Sequence, residues 1–243
     1  MKTHKYKRIL IKLSGEALSN NNANNNYAPI SAAAINNYVE EISNIHKIGT
    51  QIGIVIGGGN FYRGINTKDT GIKQLSGDKM GMLATIMNAL ALKDVLEHHN
   101  IEAKVKTAVY IPEFADIFHR EKAIKHLTKN RICIFAGGTS NPLFTTDTAA
   151  ALRSVEIEAN LLIKATNVDG IYDKNPHTNN DAIMFNNISY DECIQRDLKV
   201  MDSSAFLLCK QNNMPIIVTN INKKGNLLKI ITGEQIGTLV NIN

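Results

Sequence analysis

The chain has 243 residues, 44% of them hydrophobic and 20% charged, with a formal net charge of +5. A chain of this size buries a substantial core and still fits one α/β unit, and the composition excludes an intrinsically disordered protein. The mild basic excess suits either a plain basic surface or attraction of anionic, phosphorylated ligands. Nucleic-acid binders gather their basic residues into a recognisable module, and none occurs here, so no nucleic acid is expected as a partner.

Cys133, Cys193 and Cys209 stand far apart in sequence, without zinc-ligand spacing or the density of a disulfide framework, so a reducing cytoplasm is the expected compartment. The apolar run Ile9-Leu10-Ile11 is shorter than the about 7–15 residues of a secretory signal core. No stretch approaches the roughly 20 apolar residues that span a bilayer, so no membrane partner is expected. No internal repeat and no linker rich in Gly, Pro and Ser divides residues 1–243, which are expected to form one domain. The run Asn20-Asn21-Asn22-Ala23-Asn24-Asn25-Asn26 reads as compositional drift in a surface loop.

Along the chain, two hydrophobic periods alternate. Residues 8–13 (Arg-Ile-Leu-Ile-Lys-Leu) read as a buried strand. Ser31 is placed to N-cap a helix to about 47, with Ile35, Tyr38, Val39, Ile42 and Ile45 on one face. A strand follows at 51–56, then a long helix at about 79–98, a strand at 103–108, a helix at 120–128 and a strand at 131–135. The remainder reads as a helix at 145–156, a strand at 160–164, a turn-rich stretch to about 180, a helix at 202–211, a strand at 215–219, a helix at 225–232 and a strand at 238–242. Strands alternating with helices imply right-handed crossovers: an α/β fold, a three-layer αβα sandwich around a central, mostly parallel sheet.

In open α/β sheets ligands bind beyond the carboxyl ends of strands. Four segments at such ends carry small, hydroxylated or charged residues. Lys12-Leu13-Ser14-Gly15-Glu16 sets a lysine at a strand end, followed by a corner whose N–H groups approach an anion; such a lysine also suits a simple sheet edge. Gly57-Gly58-Gly59-Asn60-Phe61-Tyr62-Arg63 permits close backbone approach, with Arg63 able to grip a phosphate, or makes a plain tight turn. The run Gly137 to Asp147 offers hydroxyl and N–H groups to a base, a ribose or a phosphate, and Asp147 either caps a helix or orients lysines and metal. Lys164 to Pro176 contains Tyr172 and Asn175, which suit an adenine or a surface hairpin. No Walker A loop, Rossmann glycine fingerprint or Gly-x-Ser-x-Gly elbow occurs.

In this order the segments resemble the amino acid kinase superfamily and, within it, the bacterial UMP kinases, from about 6 to 239. The pieces that carry the likeness are 6–18, 55–64, Gly77-Asp78-Lys79-Met80-Gly81-Met82-Leu83-Ala84-Thr85, Asn141 to Asp147, and Leu198-Lys199-Val200-Met201-Asp202. The resemblance implies transfer of the γ-phosphoryl group of ATP to UMP, with Mg²⁺ carried by the ATP phosphates rather than by a protein metal site. Lys12 then resembles the lysine that neutralises the transferred group, with Asp202 as its acidic partner and Asp147 as a third catalytic residue. Leu13, Ser14, Gly15, Gly59, Arg63, Thr166, Tyr172 and Asn175 fall where relatives contact ATP. Asn175 stands where many of them carry aspartate. Gly58, Asp78 and the loop Thr139, Ser140, Asn141, Pro142, Leu143, Phe144, Thr145 and Thr146 fall where relatives hold UMP, with Asp78 on the ribose hydroxyls. UTP feedback and a homohexamer built from dimers are implied in the same way. The competing readings are a superfamily kinase for acetylglutamate, glutamate or carbamate, and a non-catalytic nucleotide sensor.

Overall fold

A computed structural model describes residues 4–21, 27–62, 71–198 and 200–241. Strand β1 (Arg8–Leu13) is followed by a 3₁₀ turn, a two-strand hairpin of β2 (Asn20–Asn21) and β3 (Tyr27–Ala28), helix α1 (Ala32–Lys47), β4 (Gln51–Ile56) and helix α2 (Gln74–His98). Then come β5 (Ala103–Thr107), β6 (Asp116–Ile117), α3 (Arg120–Thr128), β7 (Ile132–Ala136), α4 (Thr146–Glu156) and β8 (Leu161–Thr166). The chain ends with β9 (Asn187–Ser189), α5 (Tyr190–Gln195), α6 (Ser203–Gln211), β10 (Ile216–Asn220), α7 (Asn226–Ile231) and β11 (Thr238–Asn241).

Among the described residues nine strands form one sheet in the order β6-β5-β7-β4-β1-β8-β10-β11-β9. All neighbours are parallel except β10 and β11. The pleat of β1 shows why both faces need cover: Ile9, Ile11 and Leu13 join the core under α1, α2 and α7, while Leu10 joins the core under α3, α4 and α6. Burying each such side chain contributes about 1.5–3 kcal/mol, which is why β1 sits at the centre of the sheet. The expected αβα sandwich is the observed one.

Several boundaries differ from the expected ones. Helix α2 begins at Gln74 rather than near 79, because Gly77 and Gly81, poor helix formers, mask the first turn in the sequence. The pairs β6 and β9 are too short to show a period. Helix α5 was not expected; Ser189 caps it, accepting from Glu192 N–H at 3.1 Å, and Ser-Tyr-Asp-Glu is the readable start signal. Expectations for Arg63, Lys199, Asn22 to Asn26 and residue 242 lie outside the described residues.

The topology places the site. The strands that end in the four segments are β7, β4, β1 and β8, four consecutive parallel strands, so all four segments emerge on one edge of the sheet. The first two touch: a Cβ on Gly15 would sit 2.2 Å from the Gly57 carbonyl oxygen, so only glycine lets these corners meet.

Candidate active site

Lys12 on β1 and Lys164 on β8 are Cα partners in parallel register, so both side chains leave the same face of the sheet. Adjacent strands lie about 4.8 Å apart, and two ammonium groups at that spacing repel unless an anion separates them. Asp147, in the first turn of α4, is that anion. Its Oδ1 lies 3.0 Å from Lys12 Nζ and its Oδ2 2.6 Å from Lys164 Nζ. Lys164 also donates to the Val200 carbonyl. Thr145 caps α4, its hydroxyl accepting from Asp147 N–H at 3.0 Å, which fixes the carboxylate over the strand ends.

All three side chains are largely buried. Burial opposes ionisation of Asp147, but the two ammonium groups outweigh it and hold the carboxyl below its ordinary value. Burial pushes the Lys164 pKa down, and the Lys12 charge acts the same way, against Asp147, which favours the ammonium. Asp202 adds a second negative charge that also favours the Lys164 ammonium, so the lysine pair is balanced by two carboxylates. Lys12 meets Asp147 through Oδ1 alone, as an ion pair at 3.0 Å.

Asp202 does not pair with Lys12, contrary to the role expected for it. It caps α6 through Ala205 N–H (2.8 Å) and accepts from the Thr148 hydroxyl (2.8 Å) and from the Thr145 hydroxyl. Its oxygens are taken up in locking α6 onto the start of α4, so it supports Asp147 from behind. Leu13, expected at the ATP site, also differs. It is wholly buried under α1, and its carbonyl accepts from Gly57 N–H at 3.0 Å, so it ties two corners together and offers a ligand no surface.

On the β4 and β7 side a cavity of about 240 Å³ is lined by Gly58, Gly59, Asp78, Phe144, Thr145 and Thr146. Gly59, expected on ATP, thus faces the same space as Gly58. Helix α2 closes this cavity closely: a Cβ on Gly58 would meet the Gly81 carbonyl at 2.6 Å. Asp78 accepts from Leu143 N–H at 2.9 Å, clipping the loop 139–146 to α2. Within that loop Ser140 and Leu143 adopt left-handed backbone angles, φ 65° and 73°, and the Thr139 hydroxyl accepts from Asn141 N–H at 3.2 Å. Ser140, Asn141, Leu143 and Phe144 are exposed. Of the loop, only Phe144, Thr145 and Thr146 line the cavity; Thr139, Ser140, Asn141, Pro142 and Leu143 do not.

On the β8 side a cavity of about 570 Å³ is lined by Lys164, Thr166, Tyr172, Asn175 and Pro176. A channel of about 590 Å³ lined by Lys12, Ser14, Lys164 and Thr166 adjoins it. Asn175 Oδ1 accepts from His177 N–H at 2.9 Å. Its amide therefore shapes the turn, a task its oxygen performs as an aspartate's would. The lysine pair thus stands between a large cavity on one side and a smaller one on the other.

Residues 7–220 match the family model of the amino acid kinase family. The chain is 46% identical over 235 residues to the uridylate kinase of Coxiella burnetii, covering 97% of this chain and 95% of that relative. It superposes on the UMP kinase structure from Bacillus anthracis with a TM-score of 0.93 at 35% identity, covering 97% of this chain and 96% of that one. For the UMP kinase of Ureaplasma parvum the values are 0.89 and 34%, with 98% and 99% covered. The chain belongs to the amino acid kinase family.

For an amino acid kinase, the charged centre has one member that sequence reasoning did not single out as catalytic. Lys164 closes an apolar run, Leu161-Leu162-Ile163-Lys164, in the same manner as Leu10-Ile11-Lys12, and that shared pattern was the available signal. Thr85 gave no such signal. Its hydroxyl accepts from Gly137 N–H at 2.8 Å and tethers the β7 corner to α2, a contact between residues 52 positions apart. Among the described residues no group of three or more His, Cys, Asp or Glu is arranged to hold a metal ion. Both carboxylates nearest the lysines are engaged by ammonium, hydroxyl or N–H groups.

Proposed function

We propose that this chain, as one amino acid kinase domain over residues 1–243, transfers the γ-phosphoryl group of ATP to UMP, giving UDP and ADP for pyrimidine nucleotide synthesis in the cytoplasm. The observation that carries this reading is the Lys12–Asp147–Lys164 bridge standing between two cavities of unequal size. The larger suits ATP, with Tyr172 and Thr166 on its wall. The smaller, with Asp78, Thr145 and Thr146, suits a nucleoside monophosphate.

Phosphoryl transfer asks for positioning and charge stabilisation more than covalent chemistry. An oxygen of the UMP phosphate attacks the γ-phosphorus as the bond to the β-phosphate oxygen breaks. The nucleophile is already anionic, so no strong base is needed. Lys12 and Lys164 oppose the charge on the transferred group, and the N–H groups of Gly15, Gly58 and Gly59 add fixed dipoles. Asp147 keeps the two ammonium groups side by side. Mg²⁺ carried on the ATP phosphates would supply further neutralisation there.

The test is ADP release measured across acceptors. UMP is expected to support turnover, with acetylglutamate, glutamate and carbamate at background. Turnover with acetylglutamate and none with UMP rejects the proposal.

We further propose a homohexamer built from dimers, with UTP competing at the acceptor cavity through the uracil and ribose it shares with UMP. Support for assembly comes from α2. Its Ile86, Ala89, Leu92 and Leu96 are core, but Met80, Leu83 and Met87 form a stripe at helical spacing that is 41%, 54% and 50% exposed. Leu83→Asp is expected to lower the mass measured by light scattering, and an unchanged mass removes this face from assembly.

A further inference from the structure

The Gly57-Gly58-Gly59 corner poses a mechanical problem. A run of glycines is the most flexible backbone available, yet a phosphate site needs N–H groups fixed in advance. The answer lies behind the corner, in two buried carboxamides, Asn60 and Asn88, which are 3% and 0% exposed. They bond reciprocally: Asn60 Nδ2 donates to Asn88 Oδ1 at 2.9 Å, and Asn88 Nδ2 donates to Asn60 Oδ1 at 2.7 Å. The remaining N–H of Asn88 donates to the Gly57 carbonyl at 2.7 Å, and that of Asn60 to the Pro29 carbonyl at 2.7 Å. Both outer partners are carbonyls, so only this orientation of the two amides satisfies every group.

We infer that Asn88 is a positioning residue that aims the Gly58 N–H at the acceptor phosphate. In a trans peptide the C=O of Gly57 and the N–H of Gly58 point in opposite directions. Holding the carbonyl on Asn88, deep on α2, turns the Gly58 N–H away from the helix. Among the described residues that N–H has no acceptor, and Gly58 lines the smaller cavity beside Thr145 and Thr146. The α-carbon of Gly58 is packed against the Gly81 carbonyl and Ala84, so the corner has no room for a side chain on that side. Asn60 braces the arrangement from the Pro29 side and does not itself hold the Gly57 carbonyl.

The inference rests on UMP as acceptor. Wild-type turnover of UMP tests that reading, and the variants test the inference separately. Asn88→Ala and Asn60→Ala each empty part of the same buried network, so both are expected to lower the thermal unfolding midpoint. Only Asn88→Ala releases the Gly57 carbonyl. It is expected to raise KM for UMP about tenfold or more, the scale of one hydrogen bond to a charged group, while KM for ATP moves less than about threefold. Asn60→Ala is expected to move KM for UMP less than about threefold. Equal effects of the two substitutions, or an unchanged KM for UMP in folded Asn88→Ala, overturn the inference and leave a purely structural amide pair. Should Asn88→Ala not fold, ¹⁵N spectra of the wild-type chain decide. The Gly58 amide proton is expected to move downfield on saturation with UMP, and a Gly58 resonance that stays still while other signals report binding overturns the inference.

Discussion

The two sides of the site are built on different principles. The lysine centre is made of charged side chains on two central strands and one helix start, and its geometry follows from register: Lys12 faces Lys164 because β1 and β8 pair in parallel. The smaller cavity, proposed for the acceptor, is built from glycine corners and a loop held in place by α2 through Asp78, Thr85 and Asn88. Charge is concentrated on the first side and shape on the second. Substitutions on the first should therefore show in kcat, and substitutions on the second in KM for the acceptor.

The largest expected effect is at Lys12. Lys12→Ala is expected to lower kcat by about 10²–10³-fold, the cost of removing one preorganised stabilising group, while KM for UMP changes little. Unchanged turnover in steady-state kinetics would take Lys12 out of the chemistry and break the division between the two sides.

Asp78→Ala should do the reverse. It frees Leu143 N–H, and with it the clip between α2 and the loop 139–146. KM for UMP is expected to rise about tenfold, with kcat at saturating UMP nearly kept. A fall confined to kcat would show that Asp78 belongs with the charged centre instead.

The smallest effect is on stability, and it sharpens the account of the lysine pair. The Asp147 carboxyl titrates below its ordinary value of 3.8 in the folded chain, burial being outweighed by Lys12 and Lys164. A depressed carboxyl contributes stability above its unfolded pKa and loses it as pH falls through the folded value. Urea midpoints of wild type and Asp147→Asn should therefore differ at pH 7, and the gap should close below about pH 3.8. A gap that stays constant across that range would mean that Asp147 stabilises through its shape and hydrogen bonds rather than its charge.

The apolar helix α2 shows what a sequence leaves open. Its hydrophobic residues from Met80 to Leu96 suit burial in the core or burial against another copy. The structure divides them, with Leu92 and Leu96 in the core and Leu83 and Met87 on the surface. A helical period counts apolar faces but does not say what covers each one.

By itself the sequence determined the αβα layering and the four corners at strand ends, because strand runs, helix periods and glycine clusters are local patterns set by neighbouring residues. It also marked Lys12 and Asp147 as chemistry-bearing positions, and its resemblance to the UMP kinases added Asp78 and Asp202. Only the tertiary structure decided which acid meets which base. Asp147, not Asp202, bridges Lys12 and Lys164, since that depends on strand order and on where α4 starts over the sheet. The same holds for Asn88 and Gly57, 31 positions apart, whose hydrogen bond exists because α2 packs across the end of β4. No local pattern records a contact of that kind, because its energy depends on the packing of elements distant in the chain.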